Sequence, residues 1–411
     1  MRRHLPLRVA AASASALAIS LTLVSTGVSA ATPGPSGAHP IDIGPAVVEP
    51  AVVEPAPTPG AAALAEQLVA GMSTAQQASS VVMGHIPSED PSALSAYMAD
   101  TDLGGFILMG ANIPRTEAEL RTVTAALTVD PALPPLIAID QEGGYVSRLP
   151  WDEFPASSVL KDRPPAETAA AFAARASLVA RGGANVNFGI VADTTADSSS
   201  FIYGRSLGAD PKAAAERVAS AVTAEEPFVA STLKHFPGHG AAPGDSHSLI
   251  PRTDKALDEW RRSDALPFVS GIDAGASMLM FGHLDYAAVD AEPASLSARW
   301  HEIAREDLGF DGVMVTDDLG MLQSTGIPEY ADPVANAVAA VAAGNDLVLT
   351  IAHSTPETAG ELAAGIAAAV EAGALPAERL QDAAERIMML RLERAASGAV
   401  WAPCATCTPV P

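Results

Sequence analysis

Cysteine and basic residues are both scarce in this chain of 411 residues. It has two cysteines, and its 24 lysines and arginines face 48 aspartates and glutamates, for a formal net charge of −24. This acidic balance argues against nucleic acids and anionic membrane surfaces as partners. Cys404 and Cys407 lie in a proline-rich tail, and a disulfide between them would close too small a loop to stabilise a fold. We therefore expect neither a disulfide-dependent fold nor a redox site.

Hydrophobic runs of membrane-spanning length are absent after residue 30. The first 30 residues fit a secretory signal peptide, with a basic start, an apolar stretch over residues 9–24 and a small-residue cleavage pattern at Val28-Ser29-Ala30. No cysteine lies near this cleavage pattern, which argues against a lipoprotein anchor. We expect a secreted protein without a membrane anchor.

Proline, alanine and valine dominate residues 31–60, a composition that cannot build a core and favours an extended, polyproline-like linker. The remaining chain is long enough for one large domain or two smaller ones. We therefore predict a signal peptide (1–30), a linker (31–60), one folded domain (61–398) and a proline- and cysteine-containing tail (399–411).

Short apolar runs alternate with alanine-rich helical patterns from residue 61 onwards. Continuous apolar strands are typical of a sheet buried on both faces, and this alternation predicts an α/β fold with a single (β/α)8 barrel. A doubly wound open sheet is the alternative, but it lacks a glycine-rich phosphate loop after its first strand. The predicted strands are Val81–Ile86, Gly105–Met109, Leu136–Ile139, Val186–Val191, Ala230–Leu233, Ser277–Phe281, Val313–Thr316 and Asp346–Thr350. The predicted helices include Thr116–Leu127, Ala166–Arg181, Pro211–Ala224, Asp254–Asp273, Leu362–Ala372 and Glu378–Ala396.

Polar residues recur where the predicted strands end. In a (β/α)8 barrel the carboxyl ends of the strands form one rim, and active sites lie there. Packing alone does not explain polar ends on apolar strands. The rim residues are Asp140 to Glu142, Asp193, Lys234 and His235, His283, and Asp317 and Asp318.

The densest group of titratable residues runs from Lys234 to His247. Within it, the Asp245 carboxylate can accept a hydrogen bond from one ring nitrogen of His247, which leaves the other nitrogen free to transfer a proton. A solvated turn is the plainer interpretation of this Asp-x-His pattern on its own. His235 and His239 could instead form a metal pair, but the Pro-Gly between them argues against the helix that such a pair needs.

Asp317 directly follows an apolar strand, so we expect its carboxylate at the barrel mouth. There it can act as a nucleophile, a metal ligand or a structural acceptor, whereas Asp318 should point elsewhere and cap the next turn. Charged groups such as Asp140, Arg148 and Arg205 suit a polyhydroxylated ligand, whose hydroxyls need charged or bidentate hydrogen-bond partners.

The chain resembles glycoside hydrolase family 3, and within it the single-domain bacterial β-N-acetylglucosaminidases. The resemblance implies a retaining exo-glycosidase that removes terminal β-linked N-acetylglucosamine from peptidoglycan fragments or chitooligosaccharides, without a metal or other cofactor, as a monomer. It rests on Asp140–Gly144 with Arg148, Lys234–Gly240, Asp245–His247 and Thr316–Leu319, within a match over residues 61–395. The implied roles are Asp317 as nucleophile, His247 as general acid/base, Asp245 as its partner, and Asp140, Arg148, Arg205, Lys234 and His235 as sugar-binding residues.

Two positions depart from the family pattern. An acidic residue is common directly after His-Gly, where this chain has Ala241, and a basic residue is usual where Tyr145 stands. The spacing to Asp245 and His247 is preserved, so we expect the pair to form. The departures leave open how the loop that carries it is held.

Other functions fit parts of the same pattern. A phosphorylase of β-N-acetylglucosaminides and a general β-glucosidase would use the same fold and rim. A metal-dependent barrel hydrolase would draw its ligands from His235, His239, His247 and Asp317. A catalytically inactive sugar-binding module would require the loss of Asp317, Asp245 or His247, and all three are present.

Overall fold

A computed structural model describes residues 60–397 of the chain. Eight parallel strands form one sheet, and their spatial order follows the chain, with the last strand placed beside the first. The strands are β1 (Val82–Gly84), β2 (Gly105–Leu108), β3 (Leu136–Ile139), β4 (Val186–Val191), β5 (Ala230–Phe236), β6 (Met278–Phe281), β7 (Val313–Thr316) and β8 (Val348–Leu349).

Backbone hydrogen bonds close this sheet into a barrel. Val82 of β1 pairs with Val348 of β8. On the other side of β8, the Thr316 amide donates to the Leu347 carbonyl (3.1 Å), and the Leu347 amide donates to the Met314 carbonyl (3.0 Å). The predicted (β/α)8 barrel is therefore confirmed.

The helices surround the barrel, and many of them begin at signals that the sequence carries. Asp90, Asp210 and Asp332 each accept a hydrogen bond from a backbone N–H of the following helix, and each precedes a proline at the first helical position. The α-helices are Ala61–Ala70, Thr74–Ser80, Pro91–Thr101, Glu117–Leu127, Ser157–Leu160, Pro165–Arg181, Pro211–Glu225, Leu257–Arg262, Ala265–Asp273, Ala298–Glu302, Gly320–Ser324, Pro333–Ala343, Thr358–Glu371 and Ala377–Ser397. A π-helical turn spans Ile303–Asp307, and short 3₁₀ turns span Gly110–Asn112, His239–Ala241, Ala294–Leu296 and Pro328–Tyr330.

The predicted helix Asp254–Asp273 is wrong as a single element. The chain first forms a short strand, Arg252–Thr253, which pairs with Asp285–Tyr286, and then two helices that are separated at Ser263. Ser263 leaves helical geometry, with φ −130° and ψ −91°, and the following Asp264 is buried in an ion pair with Lys255. This ion pair joins residues nine positions apart, and the hydrophobic pattern does not reveal it.

An aromatic cluster supports the end of β5. Phe236 packs against Trp260, Phe268 and Trp300, with ring centroids 5.8, 5.4 and 5.7 Å away. The Trp260 indole N–H donates to the Pro237 carbonyl at 2.7 Å. The backbone that follows Lys234 and His235 is therefore held by buried side chains on the outer side of the barrel.

Within residues 60–397, no helix combines the length and the apolar character that crossing a bilayer requires. The predicted signal peptide, the linker up to residue 59, and the tail with Cys404 and Cys407 lie outside the described residues, so these segments and their boundaries stay predictions.

Candidate active site

One pocket at the carboxyl ends of the strands collects most of the predicted site residues. Asp140, Arg148, Arg205, Lys234, His235, His247 and Asp317 line it, and Asp245 lies directly behind His247. Its volume is about 570 Å³ including the space open to solvent, within the range of small-ligand sites. The other lining residues are Ile107, Val146, Phe201, His239, Ser246, Met280, Leu349 and Ile351.

A network of opposite charges forms one side of the pocket. Lys234 Nζ lies 3.0 Å from Asp140 Oδ1 and 2.7 Å from Glu142 Oε1. Arg148 donates to the other Asp140 oxygen at 3.1 Å. Arg205 donates two hydrogen bonds to Glu142, at 3.0 and 2.7 Å. The cations predicted to bind sugar are therefore held in place before any ligand arrives.

These contacts fix the charge states of the two carboxylates. Burial raises the pKa of Asp140, but the nearby Lys234 and Arg148 outweigh burial and lower that pKa to about 2. Burial likewise raises the pKa of Glu142, and Lys234 and Arg205 outweigh it, so this pKa is also lowered. Both carboxylates are therefore ionised acceptors that counterbalance the neighbouring cations.

Glu142 is a functional residue whose role the sequence does not predict. Its side chain is 1% exposed and contacts both Lys234 and Arg205. Its place two residues after Asp140, in the same rim segment, was the available signal. The sequence does not predict a role for Glu142, because it does not show which residues of a rim segment face the pocket.

Asp193 orients His235. The His235 Nδ1–H donates to Asp193 Oδ2 at 2.6 Å, and the His235 backbone N–H lies 3.2 Å from both carboxylate oxygens. The other ring nitrogen, Nε2, lies 3.4 Å from Arg205 Nη2 and faces the pocket side of the network. Burial raises the pKa of Asp193, but His235 outweighs burial and lowers it. Asp193 was placed on the rim from sequence, yet this supporting role was not predicted.

Asp317 stands at the end of β7 with an ionised carboxylate. Burial raises its pKa, but His235, then His283, and the Asp318 backbone N–H outweigh burial and lower that pKa. Asp317 Oδ1 accepts the Asp318 N–H at 2.8 Å. Within residues 60–397, its Oδ2 accepts no hydrogen bond. An ionised carboxylate with one free oxygen can attack an electrophilic carbon or accept a hydrogen bond from a ligand.

Asp318 and His283 lie behind the pocket rather than in it. Asp318 accepts hydrogen bonds from the backbone N–H groups of Gly320, Ile351 and Ala352, at 2.9, 2.8 and 2.9 Å. The expectation that Asp318 points elsewhere and caps the next turn is confirmed. His283 is buried between the Ser295 hydroxyl (2.7 Å) and the Asp318 carbonyl (2.9 Å).

Asp245 and His247 form the expected pair, on the loop that follows β5. The His247 Nδ1–H donates to Asp245 Oδ1 at 2.6 Å, and the His247 backbone N–H donates to the same oxygen at 3.1 Å. Partial burial raises the pKa of Asp245, but the hydrogen bonds from His247 outweigh it and lower that pKa. The two side chains are 51% and 66% exposed, so His247 Nε2 remains available for proton transfer.

The histidines of the pocket do not form a metal-ligand set. His235 Nδ1, His239 Nε2 and His247 Nδ1 contact Asp193, Ser246 and Asp245, respectively. Across the described part of the chain, no three His, Cys, Asp or Glu side chains converge as ligands. The geometry therefore gives no support to the metal-dependent alternative.

The two positions that depart from the family pattern, Ala241 and Tyr145, differ in burial. Ala241 ends the short turn His239–Ala241 and packs against apolar side chains. Tyr145 is 79% exposed at a turn where Gly143 and Gly144 adopt φ values of +83° and +79°, and its ring covers Gly204. Neither position supplies a charged contact to the pocket.

Comparison with known proteins gives relatives named β-hexosaminidase and β-N-acetylglucosaminidase. The chain is 37% identical over 255 residues to a β-hexosaminidase of Pseudomonas aeruginosa, covering 60% of this chain and 75% of that protein. A solved glycoside hydrolase family 3 β-N-acetylglucosaminidase from Paenibacillus sp. FPU-7 is 29% identical, with a TM-score of 0.73, over 80% of this chain and 63% of that chain. A β-N-acetylhexosaminidase from Beutenbergia cavernae is 27% identical, with a TM-score of 0.68, over 78% of this chain and 99% of that chain.

This chain thus spans less than two thirds of the Paenibacillus chain and almost all of the Beutenbergia chain. The model of the glycosyl hydrolase family 3 N-terminal domain matches residues 65–390, which include every residue that lines the pocket. The chain belongs to glycosyl hydrolase family 3.

Proposed function

We propose that this protein is a retaining exo-glycosidase that removes terminal β-linked N-acetylglucosamine through a covalent intermediate on Asp317. The observation that carries the proposal is one pocket lined by both an ionised Asp317 and the Asp245-supported His247. Support for the sugar comes from relatives named β-hexosaminidase and β-N-acetylglucosaminidase. The substrates are peptidoglycan fragments or chitooligosaccharides.

In the first step, Asp317 Oδ2 forms a bond to the anomeric carbon while the bond to the leaving oxygen breaks. His247 Nε2 donates its proton to that oxygen, and Asp245 stabilises the charged imidazole before transfer. In the second step, His247 takes a proton from water as the water oxygen attacks the anomeric carbon. The bond to Asp317 then breaks, and the carboxylate is restored.

The charge network supplies the contacts for the sugar ring. Asp140 can accept hydrogen bonds from sugar hydroxyls, while Arg148 and Lys234 can donate to them. Because Arg205 is already bonded twice to Glu142, we assign it mainly to holding Glu142 and His235 beside the ligand. His235 presents Nε2, since Asp193 occupies Nδ1.

A mechanism-based label tests the covalent step. A 5-fluoro derivative of N-acetylglucosaminyl fluoride should accumulate on the peptide that contains Asp317, as seen by mass spectrometry of the digested protein. The Asp317→Asn variant is the control and should stay unlabelled. Attachment to Asp318, or a product released with inverted anomeric configuration, would refute the assignment, because three backbone N–H groups already occupy the Asp318 oxygens.

Phosphorolysis is the second candidate reaction for the same residues. Its motivation is that the proposed acid/base is a histidine, which repels an incoming phosphate less than a carboxylate would. Product analysis with and without phosphate distinguishes the two reactions. N-acetylglucosamine in both samples supports hydrolysis, and N-acetylglucosamine 1-phosphate in the phosphate sample supports phosphorolysis.

We also propose that the protein acts outside the cell as a monomer. Residues 1–30 have the pattern of a secretory signal peptide. Cell fractionation of the full chain and of a variant without residues 1–30 tests export. Light scattering during size-exclusion chromatography tests the monomer, and a dimer mass would contradict it.

A further inference from the structure

Ser246 is the buried member of the Asp245-Ser246-His247 segment. Its neighbours on both sides have largely exposed side chains, whereas Ser246 is 3% exposed. The Ser246 hydroxyl shares a hydrogen bond of 2.8 Å with Nε2 of His239. The attachment of this exposed pair to the barrel therefore runs through the residue between them.

No other hydrogen bond within the described residues replaces this contact. Segment 242–249, which carries the pair, also contains hydrogen bonds from the Ser248 and Leu249 amides to the Asp245 carbonyl, but these are local. Within the described residues, the Ser246–His239 bond is the one hydrogen bond that joins segment 242–249 to the rest of the chain. Ala241, directly before this segment, has no side-chain group that could add a hydrogen bond or an ion pair.

His239 is itself firmly fixed. Its side chain is 1% exposed, and its backbone N–H donates to Asp193 Oδ1 at 2.5 Å. Burial first, and then the neighbouring His235, lower the pKa of His239 to about 4, so the ring is neutral near pH 7. The fixed His239 ring therefore holds Ser246, and because it is neutral it places no positive charge near the His247 ring.

Phe201 adds an apolar contact between the same partners. It lies on the loop after β4, and its ring meets the edge of His239 at 4.8 Å and of His247 at 6.5 Å between centroids. The guanidinium of Arg205 lies 5.8 Å from the Phe201 ring, which ties Phe201 to the charge network. Two rim loops are thereby joined next to the proton-transferring group.

We propose that His239 and Ser246, supported by Phe201, are positioning residues that hold the Asp245–His247 pair over the pocket. The inference rests on the proposed function, because it assigns to this contact the alignment of His247 with the leaving oxygen. A hydrogen bond to a fixed, buried ring restricts the segment that carries His247, and general acid assistance depends on such geometry.

Ser246→Ala tests the role with a matched control, Ser248→Ala, on the same segment. Ser248 is exposed, and its hydroxyl makes only a weak local contact of 3.4 Å. For methyl β-N-acetylglucosaminide we expect Ser246→Ala to lower kcat/KM about 10-fold to 100-fold, part of the roughly 10²–10⁴-fold that acid assistance provides. For the dinitrophenyl glycoside, whose leaving group needs no proton, kcat/KM should change less than about threefold on the same argument. Ser248→Ala should leave both values unchanged.

A double-mutant cycle separates positioning from general damage. In a His247→Ala background, Ser246→Ala should have no further effect, because the group that it positions is gone. His239→Gln, which keeps a side-chain N–H donor, should retain more activity on the methyl glycoside than His239→Ala at an equal melting temperature.

Two results would overturn the proposal. One is an equal loss on both glycosides in Ser246→Ala, and the other is additive losses in the double mutant. A wild-type protein that cleaves neither glycoside would instead refute the proposed function, so the two failures are distinguishable.

Discussion

His247 and Asp317 have different roles in the proposed mechanism. Substrates with a poor and a good leaving group distinguish these roles. His247→Ala should lower kcat/KM for the methyl glycoside by about 10²–10⁴-fold, because a poor leaving group needs its proton. The dinitrophenyl glycoside should lose far less in the glycosylation step. Asp317→Ala should abolish cleavage of both, since the nucleophile is needed whatever departs.

Asp245→Asn should fall between the wild type and His247→Ala, because the imidazole remains but loses its charged partner. Steady-state kinetics on the two glycosides check these expectations, with circular dichroism to confirm folding. Equal slowing of both substrates in His247→Ala would make His247 a binding or structural residue.

Glu225 gives a prediction about stability that is independent of catalysis. This carboxyl ends helix Pro211–Glu225, is fully buried, and lies beside the Asn187 side chain, whose hydrogen bond does not offset the burial. Burial raises its pKa to about 8, from an ordinary value of 4.5. The folded protein therefore keeps a proton between these values that the unfolded chain releases, so stability falls as pH rises through this window.

Glu225→Gln removes the charge and should raise the free energy of unfolding at pH 8 by a few kcal/mol, at about 1.4 kcal/mol per pKa unit, with little gain at pH 4.5. Denaturant unfolding of both proteins across this range is the measurement. Glu226→Gln, at the adjacent position, is the matched control. Because Glu226 accepts hydrogen bonds from Ser231 and Ser277, its replacement should destabilise at both pH values. A gain for Glu225→Gln that is independent of pH would contradict the raised pKa.

At the scale of elements, the rim segment after β3 depends on Glu142. Glu142→Ala would leave Lys234 and Arg205 with one carboxylate fewer in a buried place, and removing one partner of a buried ion pair costs about 3–5 kcal/mol. We expect a lower melting temperature and a kcat/KM reduced at least about 100-fold, since each 1.4 kcal/mol of lost alignment is about tenfold. Glu153→Ala, an exposed change on the following loop, should alter neither. Wild-type stability in Glu142→Ala would show that Asp140 alone balances these cations.

The elements themselves were predictable where a local pattern specifies them. Apolar runs bounded by turn residues identified the eight strands, and residues at their ends identified most of the pocket. The break at Ser263 was not predictable, because the buried Asp264–Lys255 contact that accompanies it is tertiary.

The same limit applies to single side chains. Glu142, Asp193 and His239 act through partners that lie 42 to 92 positions away or across a loop, and a sequence pattern does not give side-chain direction. The position of Asp317 was predictable, because a carboxylate directly after a barrel strand lies at the barrel mouth.

At the scale of the whole molecule, the two ends of the described chain pack against each other. The N-terminal helix Ala61–Ala70 packs against the C-terminal helix Ala377–Ser397, and it buries Ala65 and Val69. The pocket residues all lie between Ile107 and Ile351. The pocket residues are therefore separate in sequence from the two terminal helices that pack against each other.

Two truncations test this separation. Removing residues 1–59 should leave the melting temperature and kcat/KM unchanged, because the pocket and core of the described part of the chain, residues 60–397, are kept whole. Removing residues 1–72 also deletes the helix Ala61–Ala70, and losing a fully buried valine side chain alone costs about 1.5–3 kcal/mol. We expect the longer truncation to lower the melting temperature by several degrees, while kcat/KM at low temperature stays close to that of the shorter one. Thermal unfolding and kinetics of the two variants are the measurements. Equal melting temperatures would show that this helix is dispensable, and a loss of activity on removing residues 1–59 would place part of the site in the segment before the barrel.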